Sequence, residues 1–123
     1  MSTARDPLDL LPLRPVEFEI LLVLSDGEAH GYGIIQAARE RDPRGLPLET
    51  GTLYRALRRL VSEGMITPSE PRPAQDAGDE RRSYYAITAF GRAVAQAEAR
   101  RMAAQVEAAR TRRLLAHAEG GGR

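Results

Sequence analysis

The sequence predicts a mainly helical α+β domain. Apolar residues recur at helical spacing in three segments between positions 15 and 64, and a long alanine-rich segment with the same spacing lies towards the end of the chain. Two short runs rich in aromatic and branched residues separate them, which is typical of strands. A chain of 123 residues can bury one modest core, so we expect one small domain and no separate catalytic domain.

The first helix is predicted from Pro15 to Ser25. Its apolar residues keep helical spacing, and they are Val16, Ile20, Leu21 and Leu24. Proline at the first helical position costs little, because its missing amide hydrogen would be unpaired there in any case. Asp26-Gly27 follows and ends the helix.

A second helix is expected from about His30 to Arg41. Tyr32, Ile35 and Ala38 fall on one side of it, and we expect them to be buried. The next six residues contain two prolines and a glycine, which end the helix. His30 is expected to start this helix or to pack against it, because it stands beside a glycine at the boundary.

The third helix, from about residue 50 to 62, has two faces of different chemistry. The apolar face carries Leu53, Leu57, Leu60 and Val61. The opposite face carries Thr52, Arg55, Arg58, Arg59 and Ser62. Guanidinium groups suit phosphates and base edges, so this face indicates nucleic-acid binding. Alone, the pattern fits an ordinary surface helix equally well. We expect Thr50 or Thr52 to cap it and Gly64 to end it.

Two strands then complete a winged helix-turn-helix. The runs at 65–67 and 83–88 favour extended backbone, and a polar loop with three prolines joins them. Three helices followed by a two-stranded ribbon is the order of a winged helix-turn-helix. Tyr84 and Tyr85 point to opposite sides of one strand, so we expect one to pack inward with Ile87 and the other to face the surface.

The last helix is expected from Ala89 to Leu115, with Thr88 as its cap. Small and apolar residues form a seam along it, and they are Ala95, Ala99, Met102, Val106 and Ala109. We expect this seam to form a homodimer interface, with help from the first helix and the arm at residues 6–14, because alanines bury little area. The alternative is a lone, solvated alanine-rich helix.

Composition excludes several classes of protein. The net charge is +1, and all 18 basic residues are arginine, which we attribute to genome composition. There is no cysteine, hence no disulfide, thiol nucleophile or thiolate metal site. No apolar run approaches the length of a membrane helix and the polar N-terminus lacks the core of a signal peptide, so we expect a cytoplasmic protein.

The sequence predicts no enzyme, no cofactor and no metal site. Nothing in the spacing brings together the two histidines, His30 and His117. The acidic pair Asp79-Glu80 stands directly before two arginines and is expected to be a solvated charge cluster. The glycines of Gly31-Tyr32-Gly33 do not follow a predicted strand, which argues against a nucleotide-binding loop.

Three separated motifs occur in a fixed order along the chain. They are His30-Gly31-Tyr32-Gly33-Ile34, Gly51-Thr52-Leu53-Tyr54-Arg55-Ala56-Leu57 and Gly78-Asp79-Glu80-Arg81-Arg82-Ser83-Tyr84-Tyr85. Together they resemble the PadR family of bacterial transcriptional regulators, over about Leu13 to Leu115. The short C-terminal segment resembles the small members of that family, which carry a single helix there. The chain departs from the residues common in the family at Glu49-Thr50, Ala86 and Ala89-Phe90.

A dimer with two such helices predicts an inverted-repeat DNA target, because the third helices would lie in successive major grooves roughly 34 Å apart. The residues expected to contact double-stranded DNA are Thr50, Gly51, Thr52, Tyr54, Arg55, Arg58, Arg59, Arg81 and Arg82. The contact by the hydroxyl of Tyr54 is implied by the resemblance. A dimer over a promoter blocks polymerase, so we expect a repressor. The resemblance also implies a small-molecule effector, often aromatic.

These expectations divide the chain into four parts. They are an N-terminal arm at 1–13, a winged helix-turn-helix DNA-binding domain at 14–88, a dimerisation helix at 89–116 and a disordered tail at 117–123. The alternative function is a winged-helix module that binds another protein with the third helix. Low net charge and the acidic residues near that helix favour it.

Overall fold

Four α-helices, a 3₁₀-helix and two small sheets form the fold of residues 5–45, 48–73 and 81–116, the part of the chain that the computed structural model describes. The helices are the 3₁₀-helix Pro7–Leu10, α1 at Pro15–Leu24, α2 at Gly31–Arg41, α3 at Thr50–Ser62 and α4 at Ala89–Thr111. The strands are β1 at Ala29–His30, β2 at Ile66–Pro68, β3 at Arg72–Pro73, β4 at Arg81–Arg82 and β5 at Tyr84–Ile87. The predicted fold class and its four helices are confirmed.

Two helix ends differ from the predictions, because α4 ends at Thr111 rather than at Leu115 and α3 lacks the predicted threonine cap. Gly64 comes after α3 with φ of +79°, a left-handed conformation that glycine adopts without strain. Thr88 caps α4, because its Oγ1 accepts a backbone N–H of the first turn at 2.9 Å. The prediction that Thr50 or Thr52 caps α3 is wrong. The extended backbone ends at Glu49, one residue earlier, and the side chain of Glu49 caps no N–H.

β5 is the central strand of a three-stranded antiparallel sheet, with β1 on one edge and β2 on the other. Tyr85 lies opposite Ala29 of β1, and Ile87 lies opposite Ile66 of β2. The predicted pair of strands is therefore part of a larger sheet. The sequence did not predict β1, because two residues are too few to show a period of two.

β3 and β4 form a separate ribbon at the two ends of the predicted polar loop, and we call this ribbon the wing. Arg72 lies opposite Arg82, and Pro73 lies opposite Arg81. The acidic pair Asp79-Glu80 lies outside the described residues, as do His117 and the predicted tail.

The hydrophobic core surrounds α1, which contacts α2, α3, α4 and β5. Its large, fully buried apolar side chains are Ile20, Leu21, Leu24, Ile34, Leu53, Leu57, Leu60, Met65, Ile66 and Val94. The predicted apolar face of α3 is thus confirmed, although Val61 at its end is only half-buried. Because α3 buries leucines on one side, its rotation about its own axis is set, and its arginines are directed away from the core.

The predicted buried face of α2 is wrong, because the face that is buried in the structure is rotated slightly about the helix axis. Tyr32 is 47% exposed and Ile35 is half-buried, whereas Ile34 is fully buried and Gly31 is buried beside it. Ala38 is buried as predicted. The buried positions follow the spacing i, i+3, i+7, so the side chain of Tyr32 lies at the edge of the domain surface.

The segment before α1 packs against α4 of the same chain. The 3₁₀-helix contacts α4, and Leu10 and Leu13 join the core. The first turns of α4 are buried through Gly91 and Val94. α4 therefore begins as a core helix of the domain, and its second half, which carries Met102, is exposed.

Candidate nucleic-acid interface

The outer face of α3 presents two arginines to the surface. Arg55 and Arg58 are exposed, and within the described residues neither pairs with a carboxylate. The Nη2 of Arg55 lies 3.4 Å from Oγ1 of Thr52, one turn earlier. Thr50 and Gly51 are also exposed, at the start of the helix. The first backbone N–H groups of α3 therefore open onto the same surface as its arginines, and no side chain of the preceding residue caps them.

Arg59 lies in different surroundings from the other arginines of α3. Its Nη1 donates to Oε2 of Glu17 on α1 at 2.8 Å, and Glu17 is only 2% exposed. The side chain of Arg59 thus faces α1. The sequence predicts it on the exposed face, and its side chain is 39% exposed, but its guanidinium lies at the contact between α3 and α1.

The wing carries two further arginines next to α3. Arg81 is exposed, and its Nη2 donates to the carbonyl of Pro71 at 2.7 Å, across the ribbon. Arg82 is half-buried, with its guanidinium carbon 5.3 Å from the centroid of the Tyr32 ring. This cation–π contact joins Tyr32 of α2 to the wing.

His30 starts α2 as predicted. Its Nδ1 accepts the backbone N–H of Gly33 at 3.0 Å, and its ring meets Tyr84 edge-on with 5.1 Å between centroids. Nη1 of Arg82 lies 3.5 Å from the same Nδ1. The histidine is thereby part of the support beneath the wing.

Tyr54 links α3 to the start of α2. It is 39% exposed, and its ring lies so close to Gly31 that a Cβ there would overlap the Tyr54 hydroxyl and ring carbon. A larger residue at position 31 would therefore displace the end of the Tyr54 side chain. The hydroxyl of Tyr54 lies at the base of the surface that α3 presents.

These elements enclose a cleft of about 410 Å³ between α2, the start of α3 and the wing. It is lined by Tyr32, Thr50, Tyr54, Arg81, Arg82 and Tyr85, among others. The lining combines hydroxyls, arginines and the exposed start of a helix. Such groups bind anionic oxygens, so the cleft is chemically suited to a phosphate backbone.

The two tyrosines of β5 point to opposite sides, as predicted. Tyr85 packs against the core together with Ile87, and burial raises the pKa of its hydroxyl. Tyr84 faces outward beneath Arg72, whose guanidinium carbon lies 3.9 Å from the ring centroid. Arg72 also donates a hydrogen bond to a carboxylate oxygen of Glu28, and this bond raises the pKa of the guanidinium.

The sequence of the chain matches the model of the transcriptional regulator PadR-like family over residues 20–97. The chain belongs to the PadR-like family of transcriptional regulators. The match runs from the middle of α1 to the first turns of α4, and it confirms the resemblance predicted from the three motifs.

Solved structures share the fold of this PadR-like chain. A PadR family transcription regulator from Clostridium difficile is 26% identical with a TM-score of 0.66, covering 78% of this chain and 95% of its own. A transcriptional regulator from Clostridium thermocellum is 25% identical with a TM-score of 0.66, covering 78% and 87%. PadR of Bacillus subtilis, solved in complex with operator DNA, is 24% identical with a TM-score of 0.59, covering 74% and 48%. No protein of curated function matches the sequence.

The described part of this PadR-like chain shows no cluster of three or more side chains that could hold a metal ion. Among its described helices, none is both long enough and apolar enough to cross a membrane.

Two residues of this PadR-like interface are not predicted from the sequence. Tyr32 is predicted in the core but is 47% exposed, and Glu17, which is buried on α1, accepts a hydrogen bond from Arg59. The signal for Tyr32 is the spacing of Gly31, Ile34 and Ala38, because positions i, i+3 and i+7 leave residue 32 off the buried face. No local signal exists for Glu17, because its partner is 42 positions away.

Proposed function

We propose that this PadR-like chain is a homodimeric transcriptional repressor that binds an inverted-repeat operator in double-stranded DNA. The observation that carries the proposal is a set of arginines, with Arg55 and Arg58 exposed on α3 and Arg81 and Arg82 of the wing lining the cleft beside the start of α3. Arginine forks bind phosphates and guanine edges in a bidentate geometry. The cleft between α3 and the wing separates the two sets of arginines.

In this proposal α3 enters the major groove with Arg55 and Arg58 directed at the DNA. Thr50, Gly51 and Thr52 bring the start of α3 against a phosphate, where the helix dipole favours negative charge. Tyr54 adds a hydroxyl at the rim of the same groove. Its placement against Gly31 supports a fixed position for that hydroxyl.

The wing contacts the flanking backbone or the minor groove through Arg81 and Arg82. Tyr32 lies beside Arg82 on the same cleft, so we add its hydroxyl to the phosphate contacts. We leave Arg59 out, because its guanidinium is bound to Glu17.

The dimer is proposed to form along the seam of α4. Met102 is 38% exposed and Val106 is 43% exposed, while Ala99 between them and the core is also exposed. The other seam residues, Ala95 and Ala109, are half-buried. Exposed apolar side chains on a helix in such a short chain favour burial against a second copy.

Two copies on a two-fold axis read an inverted repeat, since each α3 occupies one half-site roughly 34 Å from the other. Such a dimer on a promoter represses transcription in the cytoplasm by excluding polymerase. A small molecule that changes the separation of the two α3 helices releases it.

The test is a fluorescence-anisotropy titration of the protein with a palindrome from its own promoter, repeated at several salt concentrations. We expect the logarithm of the affinity to fall linearly with the logarithm of salt, by about 0.9 for each phosphate neutralised. A scrambled duplex is the control. Equal affinity for both duplexes would contradict a sequence-specific operator.

A second candidate is a protein-binding winged-helix module. Glu49 favours it, because this exposed carboxylate stands directly before α3, where it opposes a phosphate. A protein interface of mixed charge depends weakly on salt, so the same titration separates the two functions.

A further inference from the structure

Two carboxylates are buried in the described part of the chain, and they meet at the start of α1. Glu17 on α1 and Glu98 on α4 are each 2% exposed. Oε1 of Glu17 accepts the backbone N–H of Arg14 at 2.9 Å, and Oε2 of Glu98 accepts that of Leu13 at 3.1 Å. Consecutive amides of the backbone are therefore held by side chains from two helices.

Each carboxylate also binds an arginine. Arg59 on α3 donates Nη1 to Oε2 of Glu17 at 2.8 Å. Arg101 on α4 donates two hydrogen bonds to Glu98, from Nε to Oε1 at 2.6 Å and from Nη2 to Oε2 at 3.1 Å. The hydrogen bonds of the two carboxylates, with the backbone of Leu13 between them, thus form a continuous path from α3 to α4.

Stability alone does not require this arrangement. Burying a carboxylate costs desolvation energy, and apolar residues of similar size often serve stability equally well. Charge-assisted hydrogen bonds are short and directional, so each buried carboxylate holds its partly exposed arginine in one geometry. The arrangement is therefore suited to fixing the pose of α3.

We propose that Arg59 is a positioning residue for DNA recognition, which fixes the orientation of α3 on α1 through Glu17. The Leu13-Arg14 backbone and Glu98 tie that orientation to α4, the helix of the proposed dimer seam. A displacement of α4 then reaches α3 through bonded contacts. This inference rests on the proposed function, because it requires α3 to bind DNA.

Replacing either glutamate by glutamine tests the path with little change in shape. Both oxygens of Glu17 accept hydrogen bonds, but an amide has a single acceptor oxygen. Glu17→Gln therefore leaves either the Arg14 amide or Arg59 facing another donor. The same holds for Glu98→Gln with Leu13 and Arg101.

The first experiment measures operator affinity over a range of salt for Glu17→Gln, Arg59→Met and the double variant. We expect each single variant to weaken binding about fivefold or more with the salt slope unchanged, and the double variant to be no weaker than the worse single one. Removing a negative charge strengthens DNA binding on electrostatic grounds alone, so weaker binding by Glu17→Gln has no electrostatic explanation.

Arg58→Met is the matched control on α3. It removes an exposed arginine of the proposed interface, so binding should weaken and the salt slope should fall by about 0.9. If Arg59→Met also lowers the slope while Glu17→Gln binds normally, Arg59 contacts phosphate and the proposal is overturned. Circular dichroism checks the fold of each variant. Should Arg59→Met not fold, the single variants Arg59→Lys and Glu17→Gln decide. Lysine keeps the charge, so Arg59→Lys should retain part of the operator binding.

The second experiment tests the link to α4. The sequence has no cysteine, so Ser62→Cys on α3 accepts a spin label at a single position in the chain. Electron–electron double resonance then gives the distance distribution between the two α3 helices of a dimer. We expect Glu98→Gln to broaden this distribution and to weaken operator binding about fivefold or more. Glu107→Gln, an exposed glutamate of the same helix, should change neither.

The outcomes separate this inference from the function beneath it. Failure of the unaltered protein to bind a palindrome contradicts the proposed function. Normal operator binding by the unaltered protein and by Glu17→Gln contradicts the role of Arg59. An unchanged distance distribution in Glu98→Gln, with normal affinity, contradicts the link between α3 and α4.

Discussion

Arg58 and Arg59 are adjacent in the chain, but their side chains lie in different surroundings. Successive residues of an α-helix are turned by roughly 100° about its axis. Arg58 is exposed, while the guanidinium of Arg59 binds a buried carboxylate on α1. The chemistry of an arginine is therefore not enough to assign it a role, because its position on the helix decides which partner it meets.

Arg55→Ala should weaken specific operator binding by about 1 to 3 kcal/mol, because it removes the proposed bidentate contact. The fold should persist, since Arg55 is exposed. Fluorescence anisotropy with the cognate promoter measures the change. Arg100→Ala on the exposed side of α4 is the control and should bind normally. Unchanged affinity for Arg55→Ala would remove this residue from the interface.

The helices combine a face that builds the core with a face that remains exposed. In α3 the leucines lie against α1, and the arginines of the outer face project into solvent. In α4 the first turns are buried, and the seam around Met102 is exposed. The core face of each helix thus determines how the other face is presented.

Leu57→Ala should lower the free energy of unfolding by about 2 to 5 kcal/mol, because it leaves a cavity between α3 and α1. Leu57 is 1% exposed. Urea denaturation followed by circular dichroism measures this change. Ser62→Ala, an exposed position of the same helix, should alter stability by less than about 0.5 kcal/mol. A small effect for Leu57→Ala would show that the core relaxes into the space.

The attachment of α4 predicts a dependence of stability on pH. The hydrogen bond from Arg101, together with that from the Leu13 amide, holds the pKa of the Glu98 carboxyl below its ordinary value of 4.5. A group whose pKa is lower in the folded state stabilises the fold above its ordinary pKa. That stabilisation is lost as the pH falls through the folded pKa.

We therefore expect the melting temperature of the protein to fall on acidification below about pH 4.5, the ordinary pKa of the group. In Glu98→Gln this part of the fall should be absent, because the amide does not titrate. Thermal unfolding of both proteins at a series of pH values measures the difference. Parallel curves would show that Glu98 contributes nothing to acid sensitivity.

The part of the chain that the structure describes forms one winged helix-turn-helix, which by itself would contact one half-site of the proposed operator. Specific binding to a long operator needs a second copy, so the proposed function depends on the assembly of two chains. The arginines of the proposed interface lie on α3 and the wing, whereas the seam lies on α4. The buried contacts at the start of α1 join α3 to α4.

The double variant Met102→Glu with Val106→Glu should become monomeric and lose its inverted-repeat footprint. Like charges would face each other across the two-fold axis, and their desolvation and repulsion oppose association. Light scattering and footprinting measure the two effects. Ala104→Glu with Ala108→Glu adds the same charge at exposed positions on the opposite side of α4 and should leave the dimer intact. A dimer that survives the seam variant with full affinity is built elsewhere.

Structural features that depend on neighbouring residues are predicted from the sequence alone. The four helices, the left-handed Gly64 after α3 and the cap at Thr88 follow from local periodicity and backbone preference. The two faces of α3 were predicted for the same reason. The three motifs were specific enough to indicate the PadR-like family.

Contacts between residues that are distant in the sequence are visible only in the folded chain. Glu17 and Arg59 are 42 positions apart, and Leu13 and Glu98 are 85 apart, so no local pattern pairs them. Tyr32 lies on the surface because α2 turns Ile34 and Ala38 to the core, and its ring meets Arg82 of the wing, a contact that no helical period encodes. Local energies choose the helices, whereas packing of the whole chain chooses which side chains meet.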